Sequence, residues 1–382
     1  MPAAQKRRKR KTGILGRFII YIIILLFVSL TIFFLNRTGA NSVLRLIYML
    51  GSGITGDMTE EASISFDMHE MNEFHAFKRG LAVISPNQLS VYKMSGERTL
   101  FEPLLFHSPA VSGCNDSFAV YDRSGTGFLV TNGKKILMRE EAPAKISKIT
   151  MNKNGAFTLI TDGPDCKSMV TVYNSSMNTV YKLYSSEQFV FDAILSNDAK
   201  SMAVLGYSAK SGGFEGNVTV YGLNSESPLA TFTLPDDMPI AAGFQSSDTL
   251  FVLTEDSLKS VKLGGEIQTL LEFKSTELNG FFVKDRFFSM LLNGNLSGGR
   301  AEAVTVKRNS EPVRIGIDGQ ILGFSVSDRH IAVGFSDRID IYSDGLAFKH
   351  SFPIAKDIKS FIIRDDGTLL TIGENFAKLL IP

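Results

Sequence analysis

From residue 62 onward the chain reads as short apolar stretches that alternate with polar positions. They are rich in β-branched and aromatic residues and broken by Gly, Asn, Asp and Pro. A period of two puts Val, Ile or Leu on one face and Thr, Ser or Asp on the other, as a half-buried strand requires. One element recurs: an apolar strand, a polar turn and a second apolar strand. It occurs at residues 74–85 (FHAFKRGLAVIS), 110–121 (AVSGCNDSFAVY), 149–160 (ITMNKNGAFTLI) and 193–205 (AILSNDAKSMAVL). It returns at 243–253 (GFQSSDTLFVL), 281–291 (FFVKDRFFSML), 324–334 (FSVSDRHIAVG) and 361–372 (FIIRDDGTLLTI).

Behind many of these elements comes an alternating strand ending in tyrosine: Tyr92, Tyr173, Tyr221 and Tyr342. A fourth strand follows, as at residues 181–184, 229–234 and 267–273. Four antiparallel strands repeating every ~40 residues predict β-propeller blades. The expected fold is therefore all-β, a propeller of eight four-stranded blades. Seven blades is the alternative, because residues 74–146 divide least clearly. The last blade has room for only three strands before Pro382, so residues 64–70 (ISFDMHE) are expected to supply its outermost strand and leave no free edge.

Ahead of the repeats the pattern changes to an uninterrupted apolar run. Residues 18–35 (FIIYIIILLFVSLTIFFL) carry no charge. As a helix they would be about 27 Å long, close to the hydrocarbon thickness of a bilayer. The run exceeds the apolar core of a secretory signal, and no small-x-small cleavage site follows at 36–40, so an uncleaved anchor is expected. Residues 1–17 hold seven cations (Lys6, Arg7, Arg8, Lys9, Arg10, Lys11 and Arg17) and no acid. The positive-inside rule then puts the N-terminus in the cytoplasm and the body outside the plasma membrane. The expected organisation is a basic tail (1–17), a transmembrane helix (18–35), a juxtamembrane linker (36–61) and an extracytoplasmic propeller (62–382). The lipid bilayer is thus a partner, through residues 18–35.

The turns SNDAKSMA (196–203) and RDDGTLLT (364–371) resemble, loosely, the turn of WD40-like and TolB-like propellers, without the histidine and Trp-Asp signatures of true WD40 repeats. The whole layout is similar to that of an uncharacterised family of single-pass, membrane-anchored propellers from Gram-positive anaerobic bacteria. That resemblance implies a fold and an anchor and no activity.

The formal charge of the chain is +1, so residues 18–382 carry −6 once the tail is set aside. A mildly acidic body argues against a nucleic-acid partner. The chain has no tryptophan, which removes the Trp docking motifs of quinone-binding propellers and the Trp platforms of many sugar-binding ones. His69, His75, His107, His330 and His350 share no metal-ligand spacing. The acidic pairs Glu60-Glu61, Glu140-Glu141, Asp236-Asp237 and Asp365-Asp366 read as turn and strand-end chemistry. The glycine pairs at 212–213, 264–265 and 298–299 read as turns, since no helix follows to make a phosphate cradle. Cys114 and Cys166 fall in turns at opposite faces of a propeller, too far apart for a disulfide. No catalytic, cofactor-binding or metal residue is assigned.

Three second-to-third strand turns, at residues 161–168, 207–216 and 292–300, are longer than their siblings. Long turns on a repeat scaffold are frequent binding elements. The expected function is a membrane-anchored scaffold that binds another envelope protein. The alternatives are a hydrolase of envelope polymer with its site in the central funnel, and a ligand-sensing domain.

Overall fold

The computed structural model describes residues 60–67, 72–114, 116–210, 213–234, 237–293 and 300–381. The expected tail, transmembrane helix and nearly all of the linker lie outside these residues. Among the described residues no helix is long and apolar enough to cross a membrane.

Eight four-stranded antiparallel sheets form in strict sequence order. Blades 1–7 occupy residues 73–103, 109–141, 146–185, 189–234, 239–272, 278–317 and 323–353. Blade 8 takes three strands from Ser360–Ile363, Leu369–Ile372 and Phe376–Leu380, and its outermost strand is Glu60–Ser65. The division into eight is thus correct, and residues 74–146 do make two blades. The ring-closing strand is shifted: residues 64–70 were expected, whereas pairing runs from Glu60 opposite Leu380 to Ser65 opposite Phe376. Ile64 and Phe66 are buried as the alternation requires. The ladder continues toward the N-terminus through backbone bonds that need no apolar side chain.

In every blade the first strand is innermost. The middle strands are buried on both faces; Gly80–Ser85 and Ser168–Tyr173 are buried throughout. Outermost strands alternate, as in Thr179–Ser185. This gradient follows from packing flat sheets around an axis, because neighbouring blades diverge outward.

The core is eight hydrophobic clusters, one between each pair of neighbouring blades. The recurrent tyrosines reach into them. Tyr173 stacks on Phe157 with ring centroids 4.6 Å apart and planes 10° from parallel, in the cluster shared by blades 2 and 3. Tyr92 packs in the cluster that joins blade 8 to blade 1, together with Ile64 of the closing strand.

Two faces follow from this topology. Links between blades and second-to-third strand turns lie on one, the link face. First-to-second and third-to-fourth turns lie on the other, the turn face. Glu60 pairs with the end of the third strand of blade 8, so the chain joins the ring at the turn face.

Candidate functional site: the central channel and the projecting hairpin

Inner strands of blades 3–6 enclose a cavity of about 330 Å³. Each of these four strands carries a bulge near its start, where Ser147, Phe191, Ile240 and Asn279 are the extra residues in the ladder. The inner strands of blades 1, 2, 7 and 8 pair without one. A bulge bends its strand and re-aims the side chains beyond it. Four in succession therefore shape the channel wall on one side only, and the cavity is on that side.

Lys148 and Asp192, the residues just past two of the bulges, form an ion pair at the cavity wall. Asp192 is buried, and one oxygen also accepts from Thr150 Oγ1 at 2.8 Å and from the Ala193 N–H at 2.9 Å. The middle of the wall is apolar, with Ile194, Ala242, Gly243, Phe281 and Val283, and polar groups return toward the turn face with Asn152, Asn197 and Lys284. Gly243 is required there, because a Cβ would come within 2.2 Å of Val283 Cγ1.

At the turn face Lys153 Nζ bonds Asp285 Oδ2 at 2.7 Å. These residues belong to blades 3 and 6, which are not neighbours, so the pair crosses the channel mouth. Lys284, beside it, makes no ion pair among the described residues. Asp328 stands nearby on the turn of blade 7. Its carboxyl is pushed above the usual range by desolvation in the crowded mouth, against the pull of Lys284 and with the push of Asp365 and Asp285.

The turns around this mouth are tied from blade to blade. Arg79 Nη2 donates to Asp116 O at 3.1 Å, and Asn152 Nδ2 to Ser196 O at 3.1 Å. Gln245 Nε2 donates to Lys284 O at 3.2 Å, the Asp328 N–H to Asp365 Oδ1 at 2.7 Å, and Arg364 Nη2 to Lys78 O at 3.2 Å. In the sequence these residues mark only the polar turn between the first two strands of each blade. Their second role, joining blades, depends on partners 37–44 residues away, and on one 286 residues away where Arg364 closes the ring onto Lys78.

His75, on the inner strand of blade 1, is packed against Phe118 with ring centroids 5.1 Å apart. Burial lowers its pKa to about 4, opposed by a bond to the backbone of Cys114 and assisted by the charge of Lys284. Its Nε2 has no partner among the described residues. Of the other described histidines, His107 is on the link between blades 1 and 2, and His330 and His350 are near each other in blade 7. Among the described residues no three His, Cys, Asp or Glu side chains gather as metal ligands. Cys114 and Cys166 are both free thiols, at the turn face and the link face respectively. Of the acidic pairs, Glu60-Glu61 open one outermost strand and Glu140-Glu141 close another, in keeping with the strand-end reading.

On the link face one feature stands out from the repeat. The middle strands of blade 4, Ser201–Lys210 and Gly213–Gly222, have ten residues each, against five or six for the second strands of blades 1–3. Their pairing runs out to Lys210 opposite Gly213. The expected long turn at 207–216 is therefore a continued hairpin. At its base Phe189 stacks on Tyr207 (5.4 Å, 25°), and Phe214 meets Tyr207 edge-on (5.7 Å, 86°). Phe189 and Phe214 are 45% and 65% exposed, and Lys167 Nζ lies 5.1 Å from the Phe189 ring centre. Residues 162–167 do form a loop. Most of the third expected turn, 292–300, lies outside the described residues.

Solved structures similar to this chain are propellers. BamB from Moraxella catarrhalis matches 85% of this chain and 99% of its own at 12% identity, with a TM-score of 0.52. The C-terminal WD40 domain of Sif2 matches 86% of this chain and 100% of its own at 14% identity, with a TM-score of 0.59. At such identities the likeness establishes the fold alone. No curated protein matches the chain by sequence. Residues 56–378 match a single family across all the blades, and the chain is a member of that family of unknown function, DUF5711.

Proposed function

We propose that this chain is a single-pass plasma-membrane protein whose propeller stands outside the cell membrane and holds another envelope protein on its link face. The observation that carries this reading is the projecting hairpin of blade 4 with its exposed cluster of Phe189, Tyr207 and Phe214. Rigid aromatic groups with one apolar and one open face supply much of the energy of protein interfaces. Phe189 and Phe214 stay largely open to solvent although both rings pack on Tyr207, so much of their apolar surface is left unused by the fold.

The anchor rests on the apolar run at 18–35 behind seven cations. The chain joins the ring at the turn face, which leaves the link face clear of the entering strand. A propeller scaffold without a catalytic motif fits binding better than hydrolysis: Asp192 and Asp285 of the channel are each held by a lysine.

The test is proximity labelling on intact cells with the labelling enzyme fused after Pro382. A reproducible set of envelope proteins is expected, and it should vanish when residues 208–215 are replaced by Asn-Gly. Retention of the same set by the trimmed protein would remove the hairpin from the binding role. Labelling of cytoplasmic proteins would overturn the orientation.

A further inference from the structure

The channel cavity has a chemical bias that the fold does not need. Three lysines line it, Lys148, Lys153 and Lys284, against two carboxylates, Asp192 and Asp285. An ammonium group carries three N–H donors and no acceptor. Lys148 and Lys153 each give one bond to a carboxylate, and Lys284 gives none to a carboxylate among the described residues. Asp328 adds a negative charge near Lys284 at the mouth, so the excess of the polar wall is one of N–H donors, those of Lys284 foremost. Thr150, Asn152 and Asn197 add uncharged polar groups, the rest of the wall is apolar, and the volume of about 330 Å³ falls at the lower end of the range for small-molecule sites.

The geometry also gives a direction of access. The Lys153–Asp285 pair bridges the mouth at the turn face. The bulges bend the inner strands near their starts, at the link-face end. From these observations we infer that the channel is a binding site for a small organic carboxylate with an apolar body, admitted from the link face. The carboxylate sits on the ammonium group of Lys284 at the turn-face end, and the body lies along Val283, Gly243 and Ile194 toward the link face. A neutral molecule of the same shape would leave the spare donors unmatched, so charge is the discriminating feature. This site is separate from the hairpin and does not depend on the membrane topology.

Met58–Pro382 forms one compact unit that contains every blade and every interblade cluster, and it serves as the test protein. Hexanoate, N-acetyl-leucine and hexanol are titrated by calorimetry and ligand-observed NMR. Saturable binding of hexanoate or of N-acetyl-leucine, with hexanol failing to compete, is expected. The first preference would mark an acyl carboxylate and the second a peptide terminus. Lys284→Met should weaken binding about tenfold, the ratio that corresponds to 1.4 kcal/mol. Because Lys284 has no ion pair among the described residues, its loss should leave the thermal midpoint in place. Ile194→Phe, which fills the cavity, should abolish binding. Absence of saturable binding, equal competition by hexanol, or binding that survives Ile194→Phe would each overturn the inference.

Discussion

Lys153 and Asp285 are joined across the axis of the ring, Nζ to Oδ2 at 2.7 Å, although three blades of sequence separate them. The Lys153 and Asp285 side chains are 51% and 38% exposed, so screening by water leaves the pair a small thermodynamic weight. Asp285→Asn should cost less than about 1 kcal/mol. Its effect should appear instead as faster amide exchange in the turns of blades 3 and 6. A loss of several kcal/mol in denaturant unfolding would mean that the bridge holds the ring together rather than closing its mouth.

Asp192 behaves differently, because it is buried and has three donors. Asp192→Ala removes the acceptor for Thr150 and for the Ala193 N–H and leaves Lys148 without its counter-charge. Since Lys148 is partly exposed, the expected loss is about 2–3 kcal/mol rather than the full cost of breaking a buried pair. Urea unfolding measures it, and a loss below 1 kcal/mol would show that water replaces the carboxylate.

Ile64 is 1% exposed between blades 8 and 1, on the strand that closes the ring. Ile64→Ala should destabilise by about 2–5 kcal/mol, and Ile64→Asp should free the closing strand outright. Limited proteolysis would then cut near residue 66 before any other blade opens. An intact, protease-resistant Ile64→Asp protein would argue that closure by this strand is dispensable.

His75 makes stability depend on pH. Its folded pKa is about 4, below the ordinary 6.5 of the unfolded chain, so the unfolded state takes up the proton first. Stability is full above 6.5 and falls as the pH drops from 6.5 toward 4, by on the order of 3 kcal/mol. His350, also lowered by burial, adds in the same direction. His75→Phe should flatten most of this slope. An unchanged slope in thermal midpoint between pH 7 and 4.5 would place the effect elsewhere.

What the sequence made legible is what repeats. Alternation and the tyrosine-ended third strands report burial between blades, and burial is similar in all eight. The closing strand was misplaced by four residues because Ile64 and Phe66 fit the pattern whether the strand extends forward or back. The hairpin of blade 4 read as a loop because Ser, Lys and Gly dominate residues 208–213, yet its backbone ladder continues regardless. The channel site had no sequence signal at all. It depends on four bulges, and Ser147, Phe191, Ile240 and Asn279 share neither type nor local sequence. Lys148 and Asp285 are brought to one cavity only when blades 3 to 6 stand side by side.

The closing strand also sets a schedule. Glu60 pairs with Leu380, so the first strand to be made waits for the last. At about 5–20 residues per second, on the order of 15–60 s of synthesis separates the two. Through that interval seven blades can assemble in order while both flanks of the growing arc stay open. A chain stopped short of residue 376 never acquires its final partner and remains an open fan, exposed to pairing with other chains. Synthesis of residues 376–380 is thus the step that turns a string of folded blades into a ring.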